Sequence, residues 1–330
     1  MTAIRDFALA HAAHLQHGQG LIARPDVTGT GVGLRRRAGA LTEERVLKVY
    51  VAHKRPLGEL HSGAALPSML ATASGEAAVD VEEMPVPRIP PMHAHPPSAA
   101  SALAVARLQV PRRPAVGGAS LAHHRFPVGT VALGVLDLLS GAPCLLSCNH
   151  VLAQLDQALF GDLVLQPAFA DGGELPGSAV GRVLRWTDVR FGGPANLADA
   201  AIAICAPGMA VSYVDGIGPI ATISPGVALG EMMRKVGRSS GLTQGRVIVT
   251  NGTFKANYAM LGFGNTPALF VDQIVVDLPC GYGDSGSLLV DSQNRAAGLL
   301  FAAADLHHTW FNPFHAVAAA LGIGLLPPMA

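Results

Sequence analysis

The sequence lacks a charge imbalance, a long apolar run and more than a few cysteines. Only 14% of its 330 residues are charged, and the formal net charge is zero. Without a strong field of one sign, we expect neither nucleic acid nor a membrane surface as a partner. No apolar stretch reaches the roughly 18 uninterrupted residues that a membrane-spanning helix needs.

The cysteine count and the N-terminus both indicate a reducing compartment. Four cysteines are too few for a disulfide framework in a chain of this length. The first residues carry charges and histidines where a signal peptide needs an unbroken apolar core. We therefore expect a soluble, cytoplasmic protein without a metal site, in which all four cysteines are reduced core residues: Cys144, Cys148, Cys205 and Cys280.

Half of the residues are hydrophobic, which allows a sizeable core and about two domains. Residues 1–88 predict a small α+β unit with a helix at 3–18 and a second helix opening in GAALPSML. Its strands are predicted in GTGVGLRRR, ERVLKVYVAHK and AAVDVEEM. A proline-rich linker follows at 89–112, because proline fixes φ and removes a donor. We interpret His93 and His95 in it as solvated residues rather than metal ligands.

From about residue 113 the sequence pattern changes. Short apolar runs such as GTVALGVLDL, GRVIVTNG and LFVDQIVVDLP recur at close spacing, separated by Gly, Asn, Asp and Pro. This pattern predicts an all-β barrel or sandwich. PFHAVAAALG begins with proline and ends with glycine, which predicts a final helix at about 313–322.

The stretch GYGDSGSLLV, at residues 281–290, crowds two glycines and an acid around Ser285. A serine hydroxyl is a poor nucleophile unless a base activates it and donors stabilise the oxyanion. Gly283 lets the backbone turn so that its N–H and that of Ser285 face one spot beside the hydroxyl. The pattern therefore predicts an oxyanion hole formed by Gly283 and Ser285.

Such a serine needs a base and an acid that orients the base. LLSCNHVLA places His150 directly after an apolar strand, and LADAAIAIC places Asp199 at the head of another. Asp188 and Asp215 are alternatives for the acid. The predicted catalytic residues are thus His150, Asp199 and Ser285, in the chain order of chymotrypsin.

The motifs CNHVLA, DAAIAI and GDSGS, in this order, resemble those of the chymotrypsin/trypsin-like serine peptidases over about residues 113–326. The resemblance implies a mainly β fold of two six-stranded antiparallel barrels, at about 113–212 and 226–312. It also implies a serine endopeptidase that acts on protein or peptide substrates through an acyl-enzyme, with no cofactor. KVGRSSGLTQGRV and the N-terminal GTGVGLRRR are similar to a bacterial branch that includes the plant Narrow Leaf 1 proteins, for which a homo-oligomer is expected.

The sequence also departs from animal trypsins. It has no IVGG-type start, so Asp284 needs a cation other than a cleaved N-terminus. GRSSG resembles a segment of bacterial members in which an arginine fills that role, so we expect Arg238 to pair with Asp284 and the site to be competent without zymogen cleavage. The resemblance places the specificity pocket, with no acid at its base, at Pro279, Cys280, Phe301, Ala302 and Ala303.

A second function stays open at this point. A peptide- or protein-binding module on a protease fold, with weak or no turnover, is compatible with an N-terminal unit that could cover the cleft. The histidine doublets His123-His124 and His307-His308 are predicted to be exposed loop residues rather than metal ligands.

Overall fold

The computed structural model of the chain describes residues 2–60, 63–89, 99–262 and 266–327. His93 and His95 lie outside these residues. No helix in the described part of the chain is both long and apolar enough to cross a membrane.

The N-terminal residues form one helix and four strands: α1 (Thr2–Ile22), β1 (Val27–Arg37), β2 (Ala40–Val51), β3 (Met69–Thr72) and β4 (Gly75–Glu83), with a 3₁₀ turn at Leu57–Glu59. The helix predicted to open at 63–70 is wrong, since these residues form a turn and the start of β3. Pro67 gives the physical reason, because a proline disfavours the helical conformation of the residue before it.

The middle of the chain holds two short helices and ten strands: α2 (Ala99–Ala106), β5 (Ala115–Gly117), β6 (Ser120–His123), β7 (Gly129–Thr130), β8 (Leu133–Asp137), β9 (Pro143–Ser147), α3 (Asn149–Leu152), β10 (Leu163–Leu165), β11 (Ala179–Trp186), β12 (Ala201–Cys205), β13 (Ala210–Val214) and β14 (Gly218–Pro219). A 3₁₀ turn lies at Phe169–Asp171.

The C-terminal part adds eight strands and the predicted last helix: β15 (Thr222–Ile223), β16 (Met232–Gly237), β17 (Gly241–Ala256), β18 (Ala268–Asp277), β19 (Leu288–Val290), β20 (Arg295–Ala303), β21 (Thr309–Pro313), α4 (Phe314–Leu321) and β22 (Ile323–Leu325). A 3₁₀ turn at Ala259–Leu261 follows β17.

Two antiparallel sheets organise the chain beyond residue 113, and the predicted mainly β fold is confirmed. In the C-terminal half the strand order is β16-β19-β20-β21-β18-β17, and β17 pairs again with β16, so these six strands close into a barrel. In the other half β8, β9, β12, β11, β10 and β6 follow one another, with the short strands β22 and β7 at the two ends. The segment with Ser285 connects β18 to β19, and His150 follows β9.

The N-terminal strands continue the sheet of the C-terminal barrel, which consists of β16–β21. β1 pairs antiparallel with the far half of β17, with Gly29 opposite Phe254. A Cβ atom at Gly29 would lie 2.1 Å from the Phe254 ring, so glycine allows this close approach. The sheet then runs on through β2, β4 and β3. The predicted α+β unit is therefore hydrogen-bonded directly to the barrel that carries Ser285.

The four cysteines are buried and unpaired, as predicted. The prediction that both histidine doublets are exposed is wrong for His123 and His308, which are buried, and His124 is half-buried. His123 is buried with its Nε2 3.1 Å from the Asp162 carboxylate. His308 is buried between Asp305, at 2.9 Å, and Glu82 of β4, at 3.6 Å. In each case a carboxylate compensates the cost of burying a polar ring.

Candidate active site

The loop around Ser285 has two glycines in the left-handed region. Gly283 has φ 98° and Gly286 has φ 94°, a backbone conformation that other residues rarely adopt. A Cβ atom at Gly286 would also lie 2.1 Å from the hydroxyl of Ser147, at the end of β9. The two glycines of the GDSG pattern are thus required by the turn, and Gly286 also by its contact with the strand that precedes His150.

Thr130 of β7, at one end of the eight-stranded sheet, fixes this loop. Its N–H donates to the Ser285 carbonyl at 2.8 Å, and its hydroxyl donates to the Gly283 carbonyl at 2.7 Å. On the other side the Gly286 N–H donates to the Leu300 carbonyl of β20 at 2.8 Å. Among the described residues, the N–H groups of Gly283 and Ser285 donate to no protein acceptor, which leaves both for a ligand.

The Asp284 carboxylate is held by a lysine, and the predicted pair with Arg238 is wrong. The ammonium of Lys235 in β16 lies 2.8 Å from the Asp284 carboxylate, and both side chains are fully buried. The N–H of Ser239 at 2.8 Å and that of Gly281 at 3.0 Å also donate to Asp284. Burial alone would raise the pKa of Asp284, but Lys235, the Ser240 hydroxyl and the Ser239 N–H hold it below its ordinary value.

Arg238 is engaged elsewhere. Its Nε donates to the Asp171 carboxylate at 2.7 Å, and its terminal nitrogen contacts the second oxygen of the same group. The physical reason is strand alternation, since a Cβ atom at Gly237 would lie 2.3 Å from Asp284. The face of β16 that meets Asp284 therefore carries residues 235 and 237 and not residue 238.

His150 and Asp199 form a buried pair. His150 lies in α3, and its Nδ1 is 2.6 Å from Oδ2 of Asp199, while its backbone N–H donates to Oδ1 at 3.0 Å. An ionised carboxylate only accepts, so Nδ1 is the donor, and in the neutral imidazole Nε2 is then the acceptor. The alternatives for the acid are placed elsewhere: Asp188 is exposed, and Asp215 accepts from Arg112 at 3.1 Å.

The segments that carry His150 and Ser285 meet where the eight-stranded sheet contacts the C-terminal barrel. The Cys148 thiol donates at 3.0 Å to the Leu300 carbonyl, the same carbonyl that the Gly286 N–H reaches. Nε2 of His150 and the hydroxyl of Ser285 are both buried, and neither has a hydrogen-bond partner among the described residues. These two side-chain atoms thus lie on adjoining segments without a hydrogen bond between them.

Two residues that the sequence analysis missed orient Asp199. The Tyr258 hydroxyl donates to Oδ2 of Asp199 at 2.8 Å, and the Asp199 N–H donates to the side-chain oxygen of Asn312 at 3.0 Å. Tyr258 is fully buried, and its ring lies edge-on to that of His150. Burial and the neighbouring Asp199 raise its pKa well above the ordinary value, so the hydroxyl remains a donor.

The same groups do not favour a metal ion. Ligand atoms of Cys148, His150 and Asp199 lie within 4.8 Å of one another. However, the imidazole and the carboxylate use their facing atoms on each other. Burial also raises the pKa of the Cys148 thiol well above its ordinary value, which disfavours the thiolate that binds metals.

Comparison with known proteins finds similarity in structure only. No protein-family profile matches the chain, and no curated protein matches it. Solved structures that are similar to it are serine proteases. A glutamic acid specific serine protease is 17% identical with a TM-score of 0.49, over 64% of this chain and 100% of that one. Protease A of Thermobifida fusca is 15% identical with a TM-score of 0.45, over 64% and 97%.

A third similar structure is the active form of the Rv3671c protease from M. tuberculosis. It is 17% identical with a TM-score of 0.39, over 74% of this chain and 96% of that one. At such identities and scores, these three proteins carry no argument about the activity of this chain.

The residues predicted to line a specificity pocket belong to the core. Phe301 is 1% exposed and packs on Phe270, with ring centroids 4.7 Å apart. Cys280, Ala302 and Ala303 are also buried, while Pro279 is half-buried. Cavity space lies instead beside His150, where a cavity of about 290 Å³ is bounded by Phe126 and Leu261 among others.

The hydrogen bond from Tyr258 to Asp199 allows a direct prediction for hydrolysis. Tyr258→Phe should lower kcat/KM about 10- to 100-fold, the usual effect of losing one buried hydrogen bond to a charged group. With one donor fewer, the carboxylate stabilises the imidazolium more, so the acidic limb of the pH profile should move to higher pH. Tyr50→Phe is the matched control, because the buried Tyr50 hydroxyl has no partner among the described residues. An unmoved pH profile in Tyr258→Phe would contradict this role.

Proposed function

We propose that the chain is a serine endopeptidase of the trypsin-like type, as the sequence motifs imply. One observation supports this most. A buried imidazole, held through Nδ1 by Asp199 at 2.6 Å, adjoins a serine loop whose Gly283 and Ser285 N–H groups have no protein acceptor within the described ranges. In this proposal His150 is the base, Asp199 is the orienting acid and Ser285 is the nucleophile, and the two N–H groups are the oxyanion donors.

In this proposal Ser285 Oγ attacks the carbonyl carbon of a peptide bond while Nε2 of His150 takes the hydroxyl proton. The negative charge that forms on the carbonyl oxygen is stabilised by the N–H groups of Gly283 and Ser285. The imidazolium then gives its proton to the leaving amine as the C–N bond breaks, which leaves an acyl-enzyme. Water, activated by the same imidazole, releases the acid and restores the Ser285 hydroxyl.

The contacts of Asp284 support activity without zymogen cleavage. A cleaved N-terminus is not needed to pair this carboxylate, because Lys235 lies 2.8 Å from it. Both groups are buried, so the pair is also shielded from salt. We propose that the chain hydrolyses peptides without prior proteolytic cleavage.

The competing function is a peptide-binding module without turnover. It is favoured by the burial of the Ser285 and His150 side chains, at 1% and 0% exposure, and by the absence of a hydrogen bond between the described atoms of the two. The serine and histidine of a catalytic site must be accessible to the substrate, whereas the same residues in a module without turnover can stay buried.

A fluorophosphonate probe separates the two functions. If the chain is a hydrolase, the intact protein should be labelled on Ser285, as located by mass spectrometry of the labelled peptide. Labelling should disappear in Ser285→Ala and in His150→Ala, and it should persist in His124→Ala, a half-buried histidine outside the site. Labelling that survives His150→Ala, or none in the wild type under any condition, would refute the proposed mechanism.

A further inference from the structure

Residues 84–89, the docked segment, pass beside the end of β20 and pair with it at one residue, Arg88. The Arg88 N–H donates to the Ala303 carbonyl at 2.9 Å, and the Ala303 N–H donates back at 3.4 Å, in an antiparallel bridge. On the opposite side the Ile89 N–H donates to the Asn257 carbonyl at 3.0 Å, and the Asn257 N–H donates to the Pro87 carbonyl at 2.8 Å. The docked segment therefore fills a slot between β20 and the end of β17.

The same strand carries both the docked segment and the Ser285 loop. Leu300 of β20 bonds this loop on both sides, accepting from Gly286 at 2.8 Å and donating to the Ser287 carbonyl at 2.9 Å. Ala303 lies three residues further along, which is about 10 Å of strand. Because the bridge is antiparallel, a peptide that continues past the Ile89 position runs from Ala303 towards Leu300. An extended chain that pairs with this edge therefore runs towards the residues of β20 that bond the Ser285 loop.

The slot selects one side chain of its occupant. Ile89 is fully buried, whereas the Arg88 side chain before it points to solvent. Successive side chains of a strand point to opposite sides, so the edge receives every second side chain and leaves the others free. The buried position holds a branched aliphatic group without a charge.

The N-terminal unit holds the docked segment in place. The Met84 N–H donates to the Val51 carbonyl of β2 at 2.8 Å, and its carbonyl accepts from the Thr28 hydroxyl of β1 at 3.0 Å. Met84 is itself fully buried. The end of the segment nearer β4 is therefore fixed, and Arg88 and Ile89 are the residues that can leave the edge while the chain stays tethered.

We propose that the docked segment is an internal pseudosubstrate on the peptide-binding edge of this site. A substrate that pairs with β20 at Ala303 must first displace residues 88–89, and the position that Ile89 leaves selects a branched aliphatic side chain. The inference rests on the proposed function and names its substrate class and its competitor. A tethered competitor lowers the apparent affinity for substrate by the fraction of molecules in which the edge is free.

A matched pair of variants tests the displacement. Arg88→Pro removes the N–H that bonds Ala303, whereas Arg88→Ala removes only the exposed side chain and keeps that N–H. We expect Arg88→Pro to raise the rate of fluorophosphonate labelling of Ser285 at least about fivefold, the factor for one net hydrogen bond, and Arg88→Ala to match the wild type. Equal rates in a folded Arg88→Pro and in Arg88→Ala would overturn the proposal.

A reversible cross-link gives the opposite test if Arg88→Pro does not fold. The two residues of a hydrogen-bonded antiparallel pair have Cα atoms about 5.5 Å apart, within disulfide range. The double variant Arg88→Cys with Ala303→Cys should label slowly when oxidised and regain its rate when reduced, while Arg88→Cys alone should not respond to reductant. An oxidised protein that labels as fast as the reduced one would overturn the proposal.

A synthetic peptide tests the side-chain preference and separates the two proposals. The blocked hexapeptide MPVPRI should bind Arg88→Pro more tightly than the same peptide ending in alanine, measured by fluorescence anisotropy, and should slow labelling competitively. Equal binding of the two peptides would overturn the preference. If no variant is labelled at all while MPVPRI still binds selectively, the proposed hydrolase fails and the peptide-binding edge stands.

Discussion

Asp199→Asn should lower kcat/KM about 10⁴-fold, as the loss of a correctly oriented imidazole does in a comparable site. The backbone N–H of His150 donates to Oδ1 of Asp199 at 3.0 Å, so the amide oxygen of the asparagine must occupy that position. Its NH₂ group then faces Nδ1 of His150, where Oδ2 now lies at 2.6 Å. Because this NH₂ only donates, the imidazole must carry its proton on Nε2 and can no longer accept the Ser285 proton.

The measurement is steady-state hydrolysis of a peptide ester, with circular dichroism to verify that the variant is folded. Asp215→Asn is the control, since Asp215 pairs with Arg112 and not with His150. It should retain wild-type kinetics. An Asp199→Asn protein that keeps more than about a tenth of the activity would show that tautomer control by Asp199 is not used.

The candidate triad could be predicted because each residue sits in a local pattern. His150 and Asp199 each adjoin an apolar strand, and Ser285 lies between glycines whose positive φ values are needed for its turn. The sequence shows these features without knowledge of the fold. That His150 lies 2.6 Å from Asp199 depends on the pairing of β9 with β12, in which Ser147 is opposite Ala201.

Tyr258 could not be predicted in this way. It lies in a loop beyond β17, and its hydroxyl reaches Asp199 across 59 residues of chain. No local pattern in ANYAML distinguishes a tyrosine that supports a carboxylate from an ordinary core tyrosine. A buried carboxylate needs several donors, so a missing donor could be anticipated, but which side chain supplies it depends on the tertiary structure.

Phe301 illustrates the same limit for the pocket. Its neighbours in the sequence are all apolar, and it packs on Phe270 of β18. The prolines of the docked segment likewise predict no strand pairing, because proline removes donors. Proline leaves the carbonyl free, however, and the Pro87 carbonyl accepts from the Asn257 N–H at 2.8 Å. Composition alone could not show that neighbouring strand edges supply its partners.

The cation beside Asp284 shows how a motif can mislead. KVGRSSG contains a lysine and an arginine three residues apart, and the resemblance favoured the arginine. The register of β16 favours the lysine instead. Gly237 lies opposite Gly241, and the side on which a Cβ atom of residue 237 would lie faces Asp284. Lys235, two residues earlier, shares that face. Strand period, applied with the position of the turn, would have favoured the lysine.

Lys235→Met should therefore destabilise the protein by about 3–5 kcal/mol, the usual effect of leaving one partner of a buried ion pair alone. Asp284 would keep its backbone donors but lose the charge that outweighs its burial. The Ser285 loop would lose this anchor, so fluorophosphonate labelling should fall as well. The measurement is the free energy of unfolding from denaturant titrations near neutral pH.

Two further variants and the pH dependence make this prediction specific. Lys235→Met with Asp284→Asn should recover much of the stability, because it removes the uncompensated charge. Arg238→Met should cost less, since Arg238 pairs with Asp171 and its side chain stays 17% exposed. The folded-state pKa of Asp284 is lowered, so its favourable contribution in the wild type is present above its unfolded pKa and is lost as pH falls through the lowered value. In Lys235→Met burial instead raises the pKa of Asp284, so the loss of stability relative to the wild type should shrink towards acidic pH. If that loss stays constant with pH, or if Arg238→Met loses more stability, the arginine and not the lysine anchors the loop.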